Sequence, residues 1–90
     1  MRDYTVRTAG QLTSLLRSFR SRRGMGQSEI AGNLGTTQQE ISRLERDPAA
    51  TSVGRLMKVL AVLEVDLVLR DRKGEPELPG ESRAPTSEQW

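Results

Sequence analysis

Gln27-Ser28-Glu29-Ile30-Ala31-Gly32-Asn33-Leu34-Gly35-Thr36-Thr37-Gln38-Gln39-Glu40-Ile41-Ser42-Arg43-Leu44 is the stretch that decides the fold. Two short runs with apolar residues at helical spacing (Ile30, Ala31, Leu34, then Ile41, Leu44) flank a turn of three to four residues containing Gly35. That is the outline of a helix-turn-helix. Ala31 is small where the second helix has to cross the first closely. Gly35 lets the backbone take positive φ at the turn. With Ile30, Leu34, Ile41 and Leu44 turned inward, Thr37, Gln38, Gln39, Ser42, Arg43 and Arg46 are left on the outer face or at its N-terminal end. These are the side chains that read DNA grooves: Gln is bidentate to adenine, Arg to guanine, and Ser or Thr meets either base.

Working outward, the pattern predicts four helices. In Ala9–Arg22 the residues Leu12, Leu15, Leu16 and Phe19 form one stripe, with Thr8 as expected N-cap and Gly24 as the stop after a basic last turn. Gln27–Leu34 and Gln38–Arg46 follow, the latter closed by Asp47-Pro48. The fourth, Ser52–Leu63, places Val53, Leu56, Met57, Leu60 and Leu63 at helical spacing and can be capped by Ser52 or Thr51. The period then changes. Val65, Leu67 and Leu69 alternate with Asp66, Val68 and Arg70, which reads as a short strand. One strand alone leaves a row of backbone donors and acceptors unpaired. The simplest remedy is the same strand from a second copy across a two-fold axis, so Val65, Leu67 and Leu69 are expected to mediate homodimerisation. Pairing with Tyr4-Thr5-Val6-Arg7 is the alternative, and the two arrangements are compatible. The expected fold is thus mainly α: a helix-turn-helix bundle of four to five helices with one short strand pairing across a homodimer.

Composition narrows the function. With 90 residues, 34% apolar and 3% aromatic, the chain has room for one small aliphatic core. It contains no cysteine and no histidine, which removes thiolate chemistry, the usual general base and the commonest zinc ligand. Glu40, Glu45, Glu64 and Asp66 form no obvious catalytic pair and no Gly-rich phosphate loop is present, so no catalytic residue, metal or cofactor is expected. No apolar run is long enough to span a membrane, and Met1-Arg2-Asp3-Tyr4 opens no apolar leader, so a cytoplasmic protein with no membrane partner is expected. Residues 1–70 carry eleven basic and seven acidic side chains, for +4; residues 71–90 carry three and five, for −2. A basic body suits a polyanion. Arg17, Arg20, Arg22 and Arg23 cluster at the end of the first helix; Arg22 and Arg23 are the candidates to reach phosphate.

Residues 11–64 resemble the phage-repressor/Cro-like helix-turn-helix family, and Gly35-Thr36-Thr37-Gln38-Gln39 is similar to recognition helices of lambdoid phage repressors. The resemblance implies that Gln27, opening the second helix beside Ser28, contacts phosphate and braces Gln38. It implies that Gln38 and Gln39 reach base edges, that Thr37 and Ser42 lie at the backbone or bases, and that Arg43 stands at a base-contacting position. The expected DNA-binding set is therefore Gln27, Ser28, Thr37, Gln38, Gln39, Ser42 and Arg43. Glu40 departs from what a phosphate-facing surface favours. A dimer of this kind implies a palindromic double-stranded operator with half-sites roughly 34 Å apart.

From Gly74 the chain turns rich in Pro, Gly, Ser and Glu without apolar periodicity, and residues 71–90 are expected to form a disordered acidic tail. It ends in Glu88-Gln89-Trp90, where an aromatic on a flexible tail can anchor in a partner's pocket. Together with the strand at 65–69, this makes the whole chain similar to HipB-type antitoxins of HipA/HipB toxin–antitoxin modules. That resemblance implies a homodimer that represses its own operon and binds a HipA-like serine/threonine kinase toxin, with Val65–Leu69 forming the shared strand and Trp90 meeting the kinase. Tail insertion, restraint of the toxin's domain motion and sequestration on DNA are open as routes to neutralisation. Two other readings stay open: a stand-alone repressor for which Trp90 is dispensable, and a protein adaptor whose helix-turn-helix no longer binds DNA.

Overall fold

Four α-helices and one 3-10 turn are present among the described residues. The computed structural model describes residues 2–74, so the expected acidic tail beyond residue 74 and its Trp90 lie outside the described residues. The order is α1 (Gln11–Arg22), α2 (Gln27–Leu34), α3 (Gln38–Arg46), a 3-10 turn (Pro48–Ala50) and α4 (Val53–Val62). Helix α2 packs against both α3 and α4, while α1 lies across α3.

The core is aliphatic. Leu16 of α1, Ile30 and Ala31 of α2, Ile41 and Leu44 of α3, and Leu56, Val59, Leu60 and Leu63 of α4 and its C-cap are buried together. Leu12, Phe19, Met25, Leu34, Val62 and Val65 pack half-buried around them. Only Leu16 of the α1 stripe is fully buried, because α1 covers the bundle from one side.

Each end has an identifiable stop. Gly35 caps α2 in the left-handed region at φ +67° and Gly24 follows α1 at φ +65°, conformations that cost a side-chain-bearing residue about 1–2 kcal/mol. Thr37 accepts from the Glu40 N–H at 3.2 Å and Ser52 from the Arg55 N–H at 3.1 Å, so α3 and α4 both begin on side-chain caps. Asp47, kept out of the helical region before Pro48 (φ −139°, ψ 71°), closes α3.

Three expectations change. Helix α1 starts two residues later than the pattern suggests, and Thr8 is not its cap: Gly10 occupies that position, and the Gln11 side chain reaches back to accept from the Thr8 N–H at 3.0 Å. In α4, Val53 and Met57 face outward, 65% and 50% exposed, and Val59 takes the inner place instead. The inner stripe is Leu56, Val59, Leu60, Leu63, which keeps helical spacing but is rotated toward α2. Finally, no strand forms among the described residues. A strand at 65–69 needs a second strand to bond with, and one chain does not supply it. Residues Val65–Arg70 run on without a ladder, carrying Leu67, Val68 and Leu69 at 52%, 68% and 93% exposure. The alternative pairing with Tyr4–Arg7 does not form a ladder either; a single side-chain bond from Arg70 Nη2 to Thr5 Oγ1 (3.3 Å) links the two segments.

Candidate nucleic-acid interface

At about 100° per residue, α3 distributes its side chains around its axis in three groups. Ile41, Leu44 and Glu45 point into the molecule. Gln38, Gln39, Ser42, Arg43 and Arg46 line one open, shallow concavity on the opposite side. Glu40 stands on the flank between Arg43 and Leu44. Among the described residues, the side chains of Gln38, Gln39 and Arg43 make no hydrogen bond within the protein, while Arg46 folds back along the helix, its Nε 3.5 Å from the Ser42 carbonyl. Thr37, at the N-terminal edge of the same surface, is committed to its cap.

The surface is held by a buried charge. Glu45, the one charged residue buried among those described, at 1% exposure, receives two bonds from the Arg20 guanidinium, Nε to Oε2 at 2.7 Å and Nη2 to Oε1 at 3.2 Å. The Gln27 side-chain amide adds a third at 3.0 Å, and the Thr13 hydroxyl donates to the Glu45 backbone carbonyl at 2.6 Å. Arg17 Nε approaches to 3.9 Å from the outside. Both carboxylate oxygens are thereby engaged, and no buried side-chain polar atom among the described residues lacks a partner. One carboxylate thus ties α1 and the first residue of α2 to α3.

This network relocates several side chains read from the sequence. Gln27 donates to Glu45, and among the described residues no bond joins it to Gln38. Ser28, next to it, is exposed at the start of α2. Arg20 is consumed by Glu45 and by the Met25 carbonyl. Arg23 Nε donates to the Leu63 carbonyl at 2.8 Å, clasping the end of α4. Arg22 donates to the Tyr4 hydroxyl at 3.0 Å and lies over both the Tyr4 and Phe19 rings, which meet edge to face at 5.6 Å. That guanidinium holds the Tyr4 hydroxyl below its ordinary pKa of 10.0. Of these four basic residues only Arg20 is half-buried; Arg17, Arg22 and Arg23 are exposed.

On the far flank of α3, Glu40 forms an ion pair with Arg55 Nη1 in the first turn of α4. Of the expected dimerisation residues, Val65 and Leu67 line a second shallow depression, shared with Met57, Leu60, Ala61, Asp66 and Val68 and with no residue of α3. Glu45 was legible as a pattern, since position 45 continues the inner spacing of 41 and 44; its partners were not, because they come from residues 18 to 32 positions away.

Among the described residues no acidic cluster is placed to hold a metal ion, and no helix is long and apolar enough to cross a membrane.

An exposed polar and basic face on the second helix of a tight two-helix unit defines a helix-turn-helix protein, and residues 16–69 match the helix-turn-helix family. The chain is 36% identical over 63 residues to Antitoxin HipB of Escherichia coli O6:H1 (strain CFT073), covering 70% of this chain and 67% of that protein. Among solved structures, the HipB–O1–O2 complex superposes with a TM-score of 0.71 at 30% identity over 77% of this chain and all of that one. The HipA–HipB–O2–O3 complex gives 0.72 at 30% identity, covering 78% and 99%. The chain belongs to the helix-turn-helix family, among its HipB-type antitoxins.

Proposed function

We propose that this protein is a cytoplasmic, homodimeric antitoxin that binds a palindromic operator in double-stranded DNA, represses its own operon and neutralises a HipA-like serine/threonine kinase toxin, itself catalysing nothing. The observation that carries the DNA part is the α3 surface: Gln38, Gln39, Ser42, Arg43 and Arg46 share one open face and the internal bonding leaves Gln38, Gln39 and Arg43 available. Thr37 and Ser28 sit at the N-terminal ends of α3 and α2, where backbone N–H groups and the helix dipole favour phosphate. Gln27 remains in the proposed set, with its second amide proton free to face a phosphate while the first stays on Glu45.

Dimerisation is assigned to Val65, Leu67 and Leu69, supported by the exposed apolar run at 67–69 and the apolar depression beside it. The toxin part is supported by the solved HipA–HipB–O2–O3 complex, to whose HipB chain this protein is similar. Trp90 is assigned to the kinase contact.

Binding of the full chain to the duplex upstream of its own gene, followed by fluorescence anisotropy between roughly 50 and 200 mM salt, tests the reading. Affinity that falls steeply with salt and exceeds that for a scrambled duplex supports it. Salt-insensitive or absent binding favours the adaptor. Adding a HipA-like kinase, against the chain and its Trp90→Ala variant, then separates antitoxin from stand-alone repressor.

A further inference from the structure

Glu40 is an acidic side chain on the flank of the α3 outer face, and a bare carboxylate there opposes a polyanion. It is not bare: it is paired with Arg55, which comes from a different helix. Arg55 is itself oddly placed. It is the third residue of α4, after the Ser52 cap, at the helix end whose dipole disfavours a cation, and no acidic residue of α4's own first turn offsets it. Glu40 stands in the first turn of α3, where a carboxylate is favoured. The pair therefore bridges the N-terminal ends of two helices and leaves both side chains about half exposed, 40% for Glu40 and 48% for Arg55.

We propose that Glu40 is an electrostatic brake on DNA binding: it holds Arg55 in an ion pair beside the recognition face and so withholds from the duplex a guanidinium that otherwise takes a phosphate. The proposal rests on the DNA-binding reading above and concerns its strength, not its existence. The pair stays closed when the wild-type protein docks. The phosphate contact is sequence-independent, so the brake acts on operator and non-operator DNA alike.

The test compares full-length wild type, Glu40→Gln, Arg55→Gln and the double variant on an operator duplex and a scrambled duplex across salt. Both residues lie on the surface, and a thermal melt of each variant verifies the fold. Glu40→Gln is expected to tighten both duplexes by a similar factor and to steepen the log affinity against log salt slope by about 0.9, one phosphate's worth. The ratio of affinities at ~50 and ~200 mM salt then grows about threefold. Arg55→Gln alone leaves the slope at its wild-type value, and the double variant returns to it. Unchanged or weakened binding by Glu40→Gln overturns the proposal. So does a gain that survives in the double variant, which makes Glu40 a simple repulsive charge. A change confined to the operator overturns it too, and marks Glu40 as a base reader accepting from cytosine N4. If wild type binds neither duplex, the DNA-binding reading itself has failed.

Discussion

Burying a carboxylate is costly unless it is paired and hydrogen-bonded, and Glu45 meets both conditions through Arg20 and Gln27. Removing it strands the partly buried Arg20 guanidinium and unties three helices at once. Glu45→Ala is expected to lower stability by about 3 kcal/mol in urea denaturation, the range found when one partner of a buried pair is deleted. A loss under 1 kcal/mol means the network is ornamental. On the outer face the expectation is the reverse: Gln38→Ala leaves the urea midpoint in place but weakens operator binding by around tenfold, since a bidentate Gln–adenine contact discriminates by about 1–3 kcal/mol. Equal affinity with an intact fold removes Gln38 from the base-reading set. The outer residues were readable from sequence because they are what remains when apolar spacing has claimed the rest. Arg20 was not: a run of arginines at a helix end looks uniform, and only the tertiary position of Glu45 distinguishes the one that turns inward from those that stay out.

At the level of elements, the sequence resolved α2 and α3 to the residue, because each is bounded by a chemical stop: Gly35 with positive φ, the Thr37 cap, and Asp47-Pro48. Thr37→Ala is expected to cost about 1 kcal/mol of stability by thermal melting, the usual value of an N-cap hydroxyl; because Thr37 also edges the recognition face, loss of operator affinity beyond that attributable to unfolding marks a second role. Gly35→Ala should cost a similar amount, about 1–2 kcal/mol, through its left-handed backbone rather than through any clash, as no atom lies within 4 Å of the added Cβ. The start of α1 was less legible. Thr8 has the right chemistry for a cap, but Gln11 competes for the same backbone N–H from inside the helix. The face of α4 was misjudged for a related reason: eight of its ten residues are apolar or glycine (Val53, Gly54, Leu56, Met57, Val59, Leu60, Ala61, Val62), so spacing alone allows more than one inner stripe.

For the whole molecule, the surplus apolar residues of α4 and the segment after it carry the assembly argument. Val53, Met57, Leu67, Val68 and Leu69 are all at least half exposed, and an exposed apolar run such as 67–69 is a candidate interface. Leu67→Asp is expected to convert the sedimenting species from dimer to monomer and to weaken operator binding while leaving the α2–α3 unit folded. A variant that still sediments as a dimer places the interface elsewhere. The strand here was legible as an alternation, but whether it becomes a strand depends on a second copy, information that no single chain contains.

Glu64 sits where α4 hands over to that segment, with φ at +60°, the sole residue other than glycine among those described to adopt positive φ. Its N–H and that of Val65 close the helix onto Ala61 and Leu60. A glutamate in this conformation carries strain of order 1–2 kcal/mol that glycine avoids, while its Cβ leaves the corner fewer backbone conformations than glycine would. In a dimer joined through Val65–Leu69, everything on one side of the corner belongs to the partner's frame and everything on the other to the recognition helix. The separation of two half-sites along a duplex then becomes a gauge length set by one backbone torsion, far from any base the protein touches.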